Sequence, residues 1–126
     1  MNTTFSFSNA VVAALAGAKI VGVRSGTEHR PTGVWVVVVK GRVFARSWSD
    51  KPTGWFRAFI GEPRGVVQIP SGPEVRVRAK RVRGERLLDA IDATYATKYI
   101  TPASQKWVRG FAEPERRATT IEFVPG

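Results

Sequence analysis

Three cationic side chains lie where the sequence pattern predicts the margin of a hydrophobic core. Arg46 stands opposite Trp35 in a predicted hairpin, and Arg57 follows two aromatic residues. Lys98 falls on the apolar stripe of a predicted helix. A cation that loses hydration persists only beside an anionic or carbonyl partner, or with a route to water. The three positions therefore predict either internal ion pairs or a site for an anionic ligand.

Two classes of partner remain open for these cations. Asp92, Glu122 or the carbonyl groups of the hairpin would make the cluster structural. A ligand phosphate or carboxylate would make it a binding site, because guanidinium groups hold such oxygens with paired hydrogen bonds. For Lys98 we favour a third interpretation, in which a lysine in the last helical turn complements the helix dipole and reaches water.

A second candidate for anion binding is Arg24-Ser25-Gly26, at the end of the first predicted strand. A cation, a hydroxyl group and free backbone amides at a strand end can hold a phosphate together. His29, the only histidine, lies in the same loop, and we interpret it as a solvated side chain without a role. With a single histidine and no cysteine, neither a metal site nor a Ser-His-Asp triad is expected.

The composition favours anionic partners and a single domain. The net charge is +10, and fourteen of the twenty basic residues are arginine. Arginine binds phosphate bidentately, although a genome rich in G and C would also raise arginine use. At 126 residues and 43% hydrophobic content, one domain over residues 1–126 is expected. We predict no transmembrane segment and a cytoplasmic location.

The elements that would position these residues centre on a hairpin. The apolar run Val34–Val39 has no helical period and predicts a strand buried on both faces. Lys40-Gly41 offers a two-residue turn, because glycine tolerates positive φ. Residues 42–48 then form the return strand of the hairpin. That register places Arg46 opposite Trp35, where the two can stack. The other face carries small side chains, which suits a barrel interior.

The remaining pattern predicts alternating helices and strands. Helices are expected at 9–17 after the cap Ser8, at 55–61, at 85–99 and at 102–109, and strands at 19–24, 65–69, 74–80 and 118–124. In the last helix, Trp107 and Val108 are expected to be buried. Together these elements predict an α+β domain built on an antiparallel barrel of about six strands with helices at its flank.

Five motifs occur in a fixed order along the chain. They are Val34-Trp35-Val36-Val37, Phe44-Ala45-Arg46-Ser47, Trp55-Phe56-Arg57, Ile91-Asp92 through Tyr95 to Lys98-Tyr99, and Thr120 to Pro125. In this order they resemble a bacterial family catalogued as domain of unknown function 2255, over nearly the whole chain from the first helix. That family in turn resembles the split β-barrels that bind flavin mononucleotide (FMN) or the deazaflavin F420.

The resemblance implies a split β-barrel fold, a cofactor and a homodimer. In such barrels a loop after the first strand, a hairpin and a Trp-containing helix surround FMN or F420, usually between two subunits. The cofactor carries the hydride of an oxidoreductase, so no catalytic side chain is required. The residues implied as cofactor-binding are Arg24, Ser25, Trp35, Arg46, Ser47, Trp55, Arg57, Lys98 and Tyr99.

The implied roles of these residues divide by chemistry. Guanidinium and hydroxyl groups, as in Arg46, Ser47 and Arg57, would hold the cofactor phosphate. Aromatic side chains such as Trp35 and Tyr99, together with Trp55, would form walls for an isoalloxazine-like ring.

Two further functions remain open beside a flavin- or deazaflavin-binding oxidoreductase. One is a non-catalytic binding module for an anionic small molecule on the same barrel. The other is a non-specific nucleic-acid binder whose phosphate contacts would be Arg76, Arg78, Lys80, Arg81 and Arg83. The segment from Arg76 to Arg83 contains no aromatic side chain, so base stacking and specific nucleic-acid binding are not expected.

Overall fold

The computed structural model describes residues 6–26, 30–70 and 72–126, so His29 lies outside the described residues. The strands are β1 (Val21–Ser25), β2 (Thr32–Val34), β3 (Val36–Val39), β4 (Arg42–Ala45), β5 (Arg64–Gln68), β6 (Glu74–Arg81) and β7 (Ile121–Pro125). The helices are α1 (Asn9–Gly17), α2 (Trp55–Gly61), α3 (Glu85–Lys98), α4 (Gln105–Phe111) and α5 (Pro114–Arg117), with a 3₁₀ turn at Pro102–Ser104.

The seven strands curl into a nearly closed antiparallel barrel. Their order is β2-β1-β5-β6-β7-β4-β3, which places β2 and β3 at opposite edges of the sheet. A single residue, Trp35, separates these two strands in the chain. The two edges must therefore meet at Trp35, which we call the seam of the barrel. The predicted α+β barrel is confirmed. The strand predicted at Val34–Val39 is shortened to β3, and β2 adds a strand that was not predicted at Thr32 and Gly33, giving seven strands rather than about six.

The predicted hairpin register is confirmed for β3 and β4. Val39 pairs with Arg42, and the turn residues Lys40 and Gly41 have φ values of 51° and 78°. The pairing ends at Val36 and Ala45, because Trp35 leaves the strand at the seam. The predicted cross-strand pair of Trp35 with Arg46 is therefore wrong.

Two hydrophobic clusters occupy the two faces of the sheet. The cluster inside the barrel includes Val21, Val23, Val34, Val36, Val43, Ala45, Val67, Val77, Ile121 and Phe123, closed by Leu15 of α1 and by Phe56 and Phe59 of α2. The cluster under α3 includes Val37, Phe44, Val82, Leu88, Ile91, Tyr95, Tyr99, Val108 and Phe111. The small-residue face of the hairpin thus lines the barrel interior, as predicted, and its bulky face supports α3.

The helices follow the predicted pattern with two exceptions. Ser8 caps α1, since its Oγ accepts a hydrogen bond from the Val11 amide at 3.2 Å. α4 continues through Phe111, past its predicted end at residue 109, and α5 was not predicted. Trp107 remains 40% exposed, so its predicted burial is wrong, whereas Val108 is buried. None of the described helices is both long and apolar enough to span a membrane.

Candidate functional site

All four tryptophans of the chain line one cleft. Trp35, Trp48, Trp55 and Trp107 line a cavity of about 390 Å³, which we call the tryptophan cleft. Its remaining lining residues are Ile20, Gly33, Val34, Arg46 and Phe111. The cleft opens beside the barrel seam, because Trp35 belongs to both. Its volume lies within the range of small-molecule sites, roughly 300–1,000 Å³.

Stacking and edge contacts hold the indole rings in place. Trp35 stacks on Tyr99 of the α3 C-terminus, with ring centroids 3.9 Å apart and an interplanar angle of 4°. Trp48 meets Trp107 edge-on at 4.7 Å and Phe111 at 5.5 Å. Trp48 and Trp107 nevertheless remain 39% and 40% exposed. Large aromatic rings left open in a concave surface are typical of ligand or partner contacts.

The fourth tryptophan begins α2 and is anchored from within the barrel. Trp55 contacts Phe59 edge-on at 6.2 Å, one helical turn along, and Phe123 of β7 at 6.4 Å. The hydroxyl of Ser25 bonds to the carbonyl oxygens of Ala58 and Glu62, at 3.0 and 2.7 Å. The end of β1 thus fixes the position of α2, and with it the wall formed by Trp55.

Arg46 is buried and bonded to the protein. Its side chain is 0% exposed and pairs with the Asp92 carboxylate. Its Nε donates to Thr120 Oγ1 at 2.8 Å, and its Nη atoms donate to the carbonyl oxygens of Phe111 and Leu88, at 2.9 and 3.0 Å. Of the two alternatives left open by the sequence, the geometry of Arg46 supports the internal partner.

Tyr95 connects this buried arginine to the seam. Its hydroxyl accepts a hydrogen bond from the Arg46 amide at 3.0 Å and donates one to the Trp35 carbonyl at 3.1 Å. The Arg46 guanidinium lies 5.8 Å from the centroid of the Tyr95 ring. Arg46 therefore stacks over Tyr95 rather than over Trp35, and it supports the back of the tryptophan cleft.

Lys98 and Tyr99 fasten the end of α3 to two other elements. The Lys98 ammonium donates to the carbonyl oxygens of Leu15 and Val36, at 3.1 and 2.6 Å. The Tyr99 hydroxyl donates to the carbonyl of Lys19 at 2.7 Å. Lys98 thus binds a carbonyl in the last turn of α1 and one at the start of β3, so the hairpin carbonyls are among its partners. Burial lowers the pKa of Lys98 to about 8 and raises the pKa of Tyr99 above its ordinary value.

These shifts predict opposite pH effects on stability. Between pH 8 and 10.5 the unfolded chain holds more protons at Lys98 than the folded chain, so unfolding free energy rises with pH. Above pH 10 the unfolded chain loses protons that folded Tyr95 and Tyr99 retain, because burial raises both pKa values, so stability falls. The Lys98 contribution should be on the order of 1 kcal/mol, since the side chain is only half-buried.

Urea unfolding from pH 7 to 11 measures both effects. The parent protein should show maximal stability near the crossover, and Lys98→Met should remove the rising limb alone. Tyr99→Phe should make the falling limb shallower. A Lys98→Met variant that retains the full rise would contradict the assignment.

The structure brings together part of the predicted site. Trp35, Arg46 and Trp55 line the tryptophan cleft, with Tyr99 and Lys98 directly behind Trp35. Arg24, Ser25, Ser47 and Arg57 are not among the lining residues of the cleft. Arg57 forms an exposed pair with Asp50 at 2.6 Å, Arg24 lies 3.5 Å from Glu74, and Ser47 bonds to the backbone of Ser49.

Trp48, Trp107 and Arg116 were not predicted as site residues. The Arg116 guanidinium lies 3.6 Å from the centroid of the Trp48 ring and donates to the Trp48 carbonyl at 3.0 Å. Lys106 similarly places its ammonium 5.0 Å from the Trp107 ring. The local pattern marks Trp107 as buried and carries no feature that links Trp48 to Arg116.

The barrel and its cleft define the class of protein: the fold is a split β-barrel. Similar structures include a conserved hypothetical protein from Mycobacterium tuberculosis, with 13% identity, a TM-score of 0.57, and coverage of 100% of this chain and 84% of the other. A putative pyridoxamine 5′-phosphate oxidase from Listeria innocua has 14% identity, a TM-score of 0.56, and 92% and 89% coverage. An FAD-binding protein from Mesorhizobium loti has 14% identity, a TM-score of 0.54, and 91% and 83% coverage. At these identities the likeness shows a shared fold.

The family follows from the sequence. Residues 13–123 match the family described as an uncharacterized protein conserved in bacteria (DUF2255), and the chain belongs to that family. No curated protein matches the chain. The resemblance drawn from the five motifs is confirmed at the level of family and fold.

Proposed function

We propose that the tryptophan cleft binds a planar aromatic cofactor of the flavin type, FMN or F420. The observation that carries the proposal is that all four tryptophans line one cleft while two of them remain about 40% exposed. An isoalloxazine ring would cover the exposed faces of Trp48 and Trp107. Binding would then bury apolar surface and add aromatic contacts. The names of two structures with the same fold, an FAD-binding protein and a putative pyridoxamine 5′-phosphate oxidase, support this choice of ligand.

The lining of the cleft fits the ring of such a cofactor better than the phosphate site expected from the sequence. The walls are aromatic and apolar, as a flavin ring requires. The expected phosphate ligands Arg46 and Ser25 have their polar groups bonded internally. Arg116 and Lys106 lie outside the cleft lining but place cations against Trp48 and Trp107, and Arg116 also donates to the Trp48 carbonyl. We assign the anionic part of the ligand to these two side chains.

An oxidoreductase is the activity that such a cofactor would support. The flavin or deazaflavin would supply hydride transfer when bound. The chain itself would orient the ring, with Tyr95 and Arg46 holding the seam from behind, and would exclude water with its indole walls. A homodimer belongs to the same proposal, because a second subunit would cover the exposed rings at the mouth of the cleft.

Titration with FMN and with F420 tests this proposal. Intrinsic tryptophan fluorescence should be quenched on binding, since every tryptophan borders the ligand. Trp48→Leu and Trp107→Leu should each weaken binding about two- to tenfold, as expected from aromatic contacts worth ~0.5–1.5 kcal/mol. The matched control is Ile100→Ala, which removes an apolar side chain that is 72% exposed and lies outside the cleft lining.

The control should bind as the parent does, and all variants should unfold at similar temperatures. A parent that binds neither FMN nor F420 would refute the proposed function. Equal loss of binding in Ile100→Ala would instead show that binding does not depend on the tryptophan cleft.

A further inference from the structure

A second concave surface lies on the outer face of β5, β6 and β7. Its volume is about 740 Å³, and four basic side chains line it: Arg64, Arg76, Arg78 and Lys80. We call this surface the basic groove. Its other lining residues are Gly26, Glu62, Gly65, Val66, Val77, Val124, Pro125 and Gly126, so Glu62 is the one carboxylate side chain among the described lining residues.

The strand register forces these positive charges together. Arg64 of β5 lies directly opposite Arg78 of β6. Directly opposed residues on adjacent strands have Cβ atoms roughly 4.5–5.5 Å apart, and like charges there destabilise the sheet. Arg76 and Lys80 flank Arg78 at two-residue steps and therefore share its face, about 7 Å to either side. All four side chains are exposed.

Among the described residues no ion pair offsets this repulsion, although Glu62 lies in the groove lining and Glu122 lies opposite Lys80. Among residues 6–26, 30–70 and 72–126, the ion pairs involve Arg24, Arg42, Arg46, Arg57 and Arg117, and none includes a cation of the basic groove. Basic residues on the edge strand of a sheet often serve only to prevent pairing with another chain. β6, however, is an interior strand, paired with β5 on one side and β7 on the other, so protection of an edge does not explain the row.

We propose that the basic groove binds a compact small molecule that carries two or more phosphate groups. Three guanidinium groups supply the planar forks that hold phosphate oxygens: Arg64 lies directly opposite Arg78, and Arg76 lies two residues from Arg78 on the same strand. Val66 is buried, and together with Val124 it provides an apolar floor for the remainder of the ligand. The proposal does not depend on the function of the tryptophan cleft, which shares no lining residue with this groove.

The charge distribution favours a compact anion over a nucleic-acid strand. The positive row on β6 extends from Arg76 to Lys80, about 13 Å at ~3.3 Å per residue. Glu74 bounds it at one end and bonds to Gln68 at 2.6 Å. Glu122 lies opposite Lys80 at the other end, bonded to Arg42. A nucleic-acid strand would need a longer continuous row of positive charge and would gain from aromatic stacking, but no aromatic side chain is among the described residues that line the groove.

Calorimetric titration of the full chain with inorganic tripolyphosphate tests the proposal. Arg64→Gln/Arg78→Gln should weaken binding at least about tenfold, because two charge-assisted contacts are lost. The matched control is Arg83→Gln/Arg86→Gln, which removes the same charge from exposed positions outside the groove. The control should stay within about twofold of the parent. Without tripolyphosphate, the groove variant should melt at a higher temperature than the parent, since the opposed charges are removed.

Three results would overturn the proposal. The first is a parent that does not bind tripolyphosphate at near-physiological salt. The second is equal weakening in both double variants, which would indicate attraction by net charge alone. The third is tighter binding to a single-stranded oligonucleotide than to tripolyphosphate, with a steep salt dependence, which would mark the face as a non-specific polymer surface.

Discussion

Replacing Arg46 with alanine should lower the free energy of unfolding by about 3–5 kcal/mol. The substitution leaves the Asp92 carboxylate without its buried partner and leaves Thr120 and two main-chain carbonyl groups without their donor. A polar group that stays buried without a partner has lost its hydrogen bonds to water and gains no hydrogen bond from the protein in exchange. Because small domains are stable by only about 5–15 kcal/mol, this loss is large enough to be seen directly as a drop in melting temperature.

The matched control for Arg46→Ala is Arg57→Ala. Arg57 pairs bidentately with Asp50, at 2.6 and 2.9 Å, and both side chains are exposed. Arg57→Ala should leave the free energy of unfolding nearly unchanged, because exposed ion pairs contribute little to stability. Urea unfolding of both variants compares the two environments for one residue type. Equal losses would contradict the assignment of Arg46 as a buried structural cation, and a folded Arg46→Ala that loses only FMN binding would reassign it to the ligand.

Gly65→Ala should destabilise the protein by about 1–3 kcal/mol or more, through overpacking. An added Cβ would come within 2.2 Å of the Arg24 carbonyl oxygen and 2.7 Å of the Phe59 ring. The first contact is with the backbone of the paired strand β1, which cannot move without loss of sheet hydrogen bonds. The substitution should also displace α2, and with it Trp55, so FMN affinity should fall together with stability.

Gly61→Ala is the control for this substitution. Gly61 ends α2, and a Cβ there meets nothing within 4 Å. Alanine at a compatible helical position should leave stability unchanged or raise it by about 0.4–1 kcal/mol. Thermal unfolding of the two variants separates the effect of the close approach from that of glycine replacement. A Gly65→Ala protein as stable as the parent would show that β1 and β5 can separate locally.

Local patterns predicted most of the secondary structure. The Ser8 cap, the two-residue turn at Lys40-Gly41 and the apolar stripe of α3 each depend on residues a few positions apart. Chain periodicity and turn conformation are properties of such short segments, so the sequence suffices for them. The strand predicted at residues 74–80 is found for the same reason, and β6 ends one residue later, at Arg81.

The partners of the candidate site residues could not be predicted in this way. Arg46 obtains its hydrogen bonds from α3, from the end of α4 and from the residue before β7. Lys98 reaches carbonyl groups at Leu15 and Val36, 83 and 62 positions away. The sequence identified both as cations that need partners, and it named Asp92 and the hairpin carbonyls among several alternatives. Selection among those alternatives requires the packing of α3 across the sheet.

By itself, the sequence determined which faces of each element are apolar, that the domain is an antiparallel barrel with flanking helices, and that its cations need anionic or carbonyl partners. Only the tertiary structure decided that the barrel closes at Trp35 and that four tryptophans, spread from residue 35 to residue 107, border one cleft. The physical reason is that closure depends on the register of seven strands together. At the seam the sheet breaks at one residue, Trp35, and its indole ring becomes a wall of the cleft instead of pairing across the hairpin. The sequence pattern around Trp35 is that of an uninterrupted strand and does not reveal this break.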